Sequence, residues 1–239
     1  MERREELAAN LAAVRERIAA ACAAAGRDPA DVTLIAVTKT WPASDVEHLA
    51  ALGVRDVGEN RDAEAAEKAA TVSDAGVSDL TWHFVGQVQT NKARSVARYA
   101  DVVHSVDRPR LVRALSAGAT EGGRELDALI QVDLAPPARD GSSSSRGGAA
   151  PADVRSLADA VAAAPGLRLR GVMAVAPLGA PPGPAFERLA AVAADLRAAH
   201  PEARWISAGM SGDLEVAVGA GATHVRVGSG LLGNRALRP

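Results

Sequence analysis

A lysine at the end of an apolar run is the first residue here whose type and place suggest chemistry. Val32 to Trp41 reads VTLIAVTKTW, a β-rich run that ends at Lys39. An ammonium on an apolar strand is partly desolvated, which favours the neutral amine. A neutral amine is a nucleophile and forms a Schiff base with an aldehyde. The competing reading is that Lys39 snorkels from the strand end into water. Two loops near the C-terminus suit an anion. They read Ser207-Ala-Gly-Met-Ser-Gly212 and Gly228-Ser-Gly230. Glycines let backbone N–H groups approach a phosphate closely. Serine hydroxyls add donors, and Arg226 offers charge and a bidentate fork. Each loop taken alone also reads as an ordinary turn.

The elements that must position these groups alternate along the chain. An opening helix places Leu7, Leu11, Val14, Ile18 and Cys22 on one face and ends near Gly26. Eight β-rich runs follow, at 32–39, 56–60, 81–86, 101–106, 126–134, 169–177, 204–209 and 223–230. Ala-rich helical stretches separate them; Ser44-Asp-Val-Glu47 has the spacing of a capping box at the start of the first of these. The alternation predicts a single (β/α)8 TIM barrel over residues 1–239, with residues 1–26 as an added N-terminal helix. The Ser/Gly/Pro-rich segment 136–151 reads as a mobile loop after the fifth strand.

In such a barrel the C-terminal ends of the strands build the site, and phosphate commonly binds between the loops after strands seven and eight. Strands one and eight are neighbours in a closed barrel. An aldehyde carrying a phosphate would then be gripped at both ends, by Lys39 and by the glycine–serine loops. Pyridoxal 5′-phosphate (PLP) fits that description. Other polar groups near the rim have two readings each. Glu59 is an acid or base, or accepts a bond from a neighbouring loop. Asn60 caps the second barrel helix or contacts a ligand. His83 and His104 read as core histidines bonded to backbone, and the charged residues of the first helix as a solvated face. No two of the five histidines have metal-ligand spacing.

Composition excludes several classes. Net charge is −2 and aromatics make up 3%, so neither a phosphate-tracking surface nor stacking platforms for nucleic acid are present. No run approaches the roughly 18 apolar residues of a membrane span. Cys22 is the only cysteine, which removes disulfides and fits a reducing cytoplasm.

The stretches AVTKTWP, VGENR, WHFVGQVQTNK, HSVDR, LRGVMAVAP and SAGMSGDLEVAVGAGATHVRVGSGLLGNR span most of the chain. In them the sequence resembles the pyridoxal phosphate homeostasis protein family, the YggS/PROSC type. The resemblance implies a barrel similar to the N-terminal domain of alanine racemase, fold type III among PLP proteins. It implies PLP held as a covalent aldimine on Lys39, with Ser207, Gly209, Ser211, Gly228, Ser229 and Arg226 at the phosphate. Asn60 and Met210 match positions that line the cofactor. It implies a monomer without catalytic turnover that buffers or delivers PLP, PLP-dependent apo-enzymes being the recipients. Two departures stand out: Gly212 replaces the first of two aspartates after GMS, and SSSSRGG replaces a Lys-containing stretch after strand five. The enzyme alternative is an amino-acid racemase or decarboxylase of the same fold type. Racemases of that type carry a second β-domain and a tyrosine base; this chain ends soon after strand eight and its one tyrosine, Tyr99, sits late in a helix. A phosphosugar enzyme with no PLP is the third reading.

Overall fold

The computed structural model describes residues 2–135 and 147–233. Helix α1 (Arg3–Ala24) precedes strand β1 (Thr33–Val37), and strands and helices then alternate: α2 (Ala43–Ala51), β2 (Asp56–Glu59), α3 (Asp62–Asp74), β3 (Thr81–Phe84), α4 (Ala93–Tyr99), β4 (Val102–Val106), α5 (Pro109–Glu121), β5 (Leu126–Gln131). The second half continues with α6 (Val154–Ala162), β6 (Leu167–Met173), α7 (Gly183–Ala199), β7 (Trp205–Ser207), α8 (Leu214–Gly219), β8 (His224–Val227) and a single-turn α9 (Ser229–Leu232). The eight strands close in chain order into one parallel barrel, as the alternation predicts. Ile35 on β1 lies opposite Asp56 on β2 and Arg226 on β8, so the strand leading to Lys39 runs beside the strand carrying Arg226.

The strands are shorter at their C-terminal ends than the apolar pattern suggests. β1 stops at Val37, so Lys39 lies in the following turn and not on the strand. β7 stops at Ser207 and β8 at Val227, which leaves Gly209 to Ser211 and Gly228 in loops. The capping-box reading of Ser44 and Glu47 is also corrected. α2 begins at Ala43 after Pro42 and has no side-chain cap, so Ser44 sits inside its first turn. Most of segment 136–151 lies outside the described residues. Where the description resumes, Ala149 bridges to Val132 and Pro151–Asp153 form one 3-10 turn.

The main core lies between the helices and the outside of the barrel, where Leu111, Leu115, Leu126, Ile130, Phe186 and Leu189 are buried. Each such side chain contributes about 1.5–3 kcal/mol relative to exposure. α1 closes the seam between β1 and β8. Its predicted face, Leu7, Leu11, Val14, Ile18 and Cys22, packs on Leu214, Val218, Leu231 and Leu232 of α8 and α9. Its charged residues are not merely solvated. Arg17 reaches Glu215 at 2.7 Å and the Ser211 carbonyl at 2.9 Å, while Arg3 bonds Asp45 and the Leu232 carbonyl. The helix therefore straps down both C-terminal loops.

Inside the barrel, Val102, Leu129, Met173 and Trp205 form an apolar layer. Gly171 lets β6 lie close against β7, because a Cβ there would sit 1.9 Å from the Trp205 carbonyl oxygen. Polar side chains share the interior with it: His83, His104, Ser207, His224 and Arg226 are all buried.

The turn after β1 is held from several sides. The Thr38 hydroxyl donates to Glu59 Oε1 at 2.7 Å, and buried Lys68 donates to the Thr38 carbonyl at 2.8 Å and to the same Glu59 oxygen at 2.5 Å. Lys68 also reaches Glu64 at 3.2 Å, and Glu64 accepts the Thr40 backbone N–H. Glu59 is thus a structural acceptor, the second of its two readings. Burial raises its carboxyl above the usual range, and the bonds from Lys68 and Thr38 only partly offset that. Thr40 adopts φ 67°, which turns the chain away from the rim immediately after Lys39. That conformation costs a β-branched residue about 1–2 kcal/mol, and the clamp around it supplies the compensation.

Buried imidazoles make the fold sensitive to acid. Burial holds His104 far below its ordinary pKa, with Arg226 adding repulsion, and pushes His224 down to about 3. Below about pH 6.5 the unfolded chain binds these protons and the folded chain does not, so stability is full above that pH and falls as pH drops toward 3. Urea unfolding between about pH 7 and 5 is expected to show a slope approaching ~2.7 kcal/mol per pH unit, and His224→Gln to remove about half of it. A flat profile would contradict the burial of neutral histidines.

Candidate functional site

A cavity of about 540 Å³ opens at the C-terminal rim, among the loops that follow β1, β2, β3, β6, β7 and β8. Lys39, Asn60, Met210, Ser211, Arg226, Gly228 and Ser229 all line it. Ser207 and Gly209 lie outside its lining and support it from below and behind. Val37, Val85, Val175, Gly86 and Gly212 also line it.

Lys39 is exposed, not desolvated on a strand, because the sheet ends two residues before it. Its ammonium has no hydrogen-bond or ion-pair partner among the described residues, while the residues on either side of it are fixed by Glu59, Lys68 and Glu64. The arrangement is an exposed, unpartnered side chain on a backbone held by hydrogen bonds on both sides, in the lining of a cavity.

Arg226 is the opposite case. Its side chain is 5% exposed, and no carboxylate among the described residues pairs with it. Nη1 donates to Ser207 Oγ at 2.6 Å and Nη2 to the Ala174 carbonyl at 2.9 Å. Desolvation pushes its pKa down to about 10, opposed by the field of Asp213. A guanidinium buried without a counter-anion makes the cavity electropositive.

The glycine–serine loops are cross-linked to one another. The Gly230 N–H donates to Ser211 Oγ at 3.1 Å, tying the loop after β7 to α9. Within the first loop, the Met210 N–H donates to Asp213 Oδ1 at 2.6 Å. The aspartate that survives in Gly212-Asp213 thus holds the loop itself and makes no side-chain cap on α8. Gly209 has φ 88°, and a Cβ there would come within 2.7 Å of the Ala217 Cβ. Its carbonyl accepts the Arg226 N–H at 2.9 Å, which links the loop to β8. Met210 is 39% exposed and forms part of the cavity's outer edge.

Asn60 follows β2 and is not the helix cap; Arg61 holds that position. Its Oδ1 is buried without a hydrogen-bond partner. Its backbone presses on Gly86, where a Cβ would fall 2.4 Å from the Asn60 carbonyl oxygen. Val85, Val175 and Arg17 had no place among the sequence-derived candidates. Gly86 carried a signal, a glycine closing a strand at the functional rim; the valines and Arg17 carried none, since apolar strand residues and a helix arginine are ordinary. Tyr99 bonds Asp62 at 3.4 Å and does not line the cavity. His83 and His104 bond other side chains, not the backbone. Among the described residues no group of His, Cys, Asp and Glu is arranged to hold a metal, and no helix is long and apolar enough to cross a membrane.

Comparison with known proteins places this rim in context. The family model for the alanine racemase N-terminal domain matches residues 9–236. A protein of Mycobacterium tuberculosis named pyridoxal phosphate homeostasis protein is 44% identical, over 99% of this chain and 96% of its own. The Escherichia coli K12 protein of the same name is 38% identical, over 96% of this chain and 97% of its own. The solved structure of PipY from Synechococcus elongatus with PLP bound is 36% identical, with a TM-score of 0.80 over 95% of this chain and all of that one. The chain belongs to the alanine racemase N-terminal domain family and, within it, to the pyridoxal phosphate homeostasis proteins.

Proposed function

We propose that this chain binds PLP in the rim cavity, holds it covalently through Lys39, and buffers or delivers the cofactor without turning over a substrate of its own. The observation that carries this reading is that one cavity is lined both by Arg226, a buried cation with no carboxylate partner among the described residues, and by Lys39, a lysine with no partner among them. The names of the close relatives and the PLP in the PipY structure support it.

The residues present fit the group. The orphaned Asn60 Oδ1 marks a buried polar position that lacks a partner among the described residues. Ser211, Gly228 and Ser229, which line the cavity, offer hydroxyl and backbone donors to an anion. Arg226 supplies the positive field that favours a phosphorylated ligand over its neutral analogue. Val37, Val85 and Val175 add apolar surface to the lining, which suits a flat aromatic ring. PLP supplies an electrophilic aldehyde and an electron-withdrawing ring. Lys39 supplies the amine, and the clamp at Thr38 and Thr40 holds its backbone so that only the side chain searches for the aldehyde.

A racemase needs proton-transfer groups on both faces of its substrate. The ionisable residues among the described lining are Lys39 and Arg226, and Arg226 is already committed to Ser207 and Ala174. That supports a carrier over the racemase or decarboxylase reading. The single barrel domain over 1–239 belongs to the same proposal.

Lys39→Ala is expected to lose the visible absorbance of a lysine-bound pyridoxal while urea stability stays within about 0.5 kcal/mol, because the side chain is exposed. A variant that keeps the same covalent absorbance would remove Lys39 from its role. Arg226→Ala and Ser211→Ala are each expected to weaken PLP retention on dialysis about tenfold or more, the loss of a charge-assisted or anion-directed hydrogen bond. Unchanged retention in both would remove the anion assignment. Incubation of the PLP-loaded protein with L-alanine, followed by chiral analysis, is expected to yield no D-alanine above a PLP-only control; enzymatic turnover would favour the racemase.

A further inference from the structure

A line of hydrogen-bonded side chains crosses the interior of the barrel, and the binding reading above does not use it. Asp56 Oδ1 lies 2.9 Å from His83 Nε2. His83 Nδ1 lies 2.9 Å from His104 Nε2, and His104 Nδ1 lies 3.0 Å from Ser207 Oγ. Ser207 Oγ in turn accepts Arg226 Nη1 at 2.6 Å. The line begins at the start of β2, passes through β3 and β4, and reaches the cavity floor through β7 and β8. His83, His104, Ser207 and Arg226 are all at most 5% exposed. Asp56 is the wetter end, and it lines a separate cavity at the N-terminal end of the first two strands.

With both imidazoles neutral, the chemistry of the groups fixes a direction. An ionised carboxylate only accepts, so a neutral His83 carries its proton on Nε2 and leaves Nδ1 bare. His104 must then donate from Nε2, which leaves its own Nδ1 as an acceptor. The Ser207 hydroxyl fills that acceptor and keeps its lone pairs for Arg226. Every donor points toward Asp56, and the line has an anion at one end and a cation at the other. The depressed basicity of His104 agrees with a neutral imidazole in the middle.

We propose that Asp56, His83 and His104 are positioning residues for the cofactor site, a one-way hydrogen-bond relay that locks the Ser207 hydroxyl and through it the Arg226 guanidinium. The role rests on the PLP-binding reading. Arg226 is held by only Ser207 and the Ala174 carbonyl among the bonds identified, so the orientation of one hydroxyl sets half of its support. Chains of hydrogen bonds polarise one another in a low-dielectric interior, which extends the influence of the Asp56 charge toward the buried cation. Asparagine at position 56 would donate as well as accept. The relay could then run in reverse, with His104 donating from Nδ1 to Ser207 and the hydroxyl proton left without its acceptor.

Nitrogen-15 NMR of the histidine-labelled protein without PLP tests the direction. Both His83 and His104 are expected to carry their proton on Nε2. In Asp56→Asn, His104 is expected to shift toward the Nδ1-protonated form, and the dissociation constant for PLP to rise about fivefold, the net weight of one neutral hydrogen bond. His104 protonated on Nδ1 in the parent protein would overturn the relay, as would an Asp56→Asn variant in which either the tautomer or the affinity is unchanged. Arg226→Ala separates the two levels. If it weakens PLP binding while Asp56→Asn does not, the relay alone fails; if Arg226→Ala also binds PLP normally, the cofactor reading fails with it.

Discussion

A guanidinium buried without a carboxylate is the constraint around which this barrel is arranged. Desolvating a cation costs several kcal/mol unless hydrogen bonds and a nearby negative group compensate. Arg226 has the Ser207 hydroxyl, the Ala174 carbonyl and the longer-range field of Asp213. The interior around it is correspondingly polar, with histidines where a barrel of this size commonly packs branched aliphatics. Such an interior sacrifices apolar packing, and the sacrifice has a purpose if an anionic ligand completes the charge balance at the rim.

The rest of the structure serves to hold two walls of the rim in register. On one side, Glu59, Lys68 and Glu64 clamp the turn that carries Lys39. On the other, α1 reaches over the β1–β8 seam, and Arg17 fastens the Ser211 carbonyl while Arg3 and Asn10 fasten the end of α9. Both walls are fixed at the backbone, and the side chain of Lys39 is left free to move between solvent and cavity. A protein that buffers or passes on a cofactor needs that combination: a site preorganised enough to recognise the ligand, and an amine accessible enough to release it.

Much of the fold was legible because it depends on periodicity. Leu7 to Cys22 marked α1, and eight β-rich runs in regular alternation marked the barrel. The candidate site was legible because glycines and serines clustered where barrel strands end, and the cavity collects Lys39, Asn60, Ser211 and Arg226. What escaped the sequence were features set by three-dimensional neighbours. The apolar pattern continues past the last sheet bond, so Lys39 looked buried and is exposed. His83 and His104 carry no local mark of the partners that strands β2 and β7 bring to them. Arg17 reads as one more charge on a helix surface until α8 is folded against it.

The most direct measurement is a crystal structure of the protein grown with PLP. Binding across the cavity predicts continuous density from Lys39 Nζ to the pyridoxal carbon, with the phosphate against Ser211, Gly228 and Ser229. Density for PLP at any other lysine, or a phosphate seated away from those three residues, would contradict it.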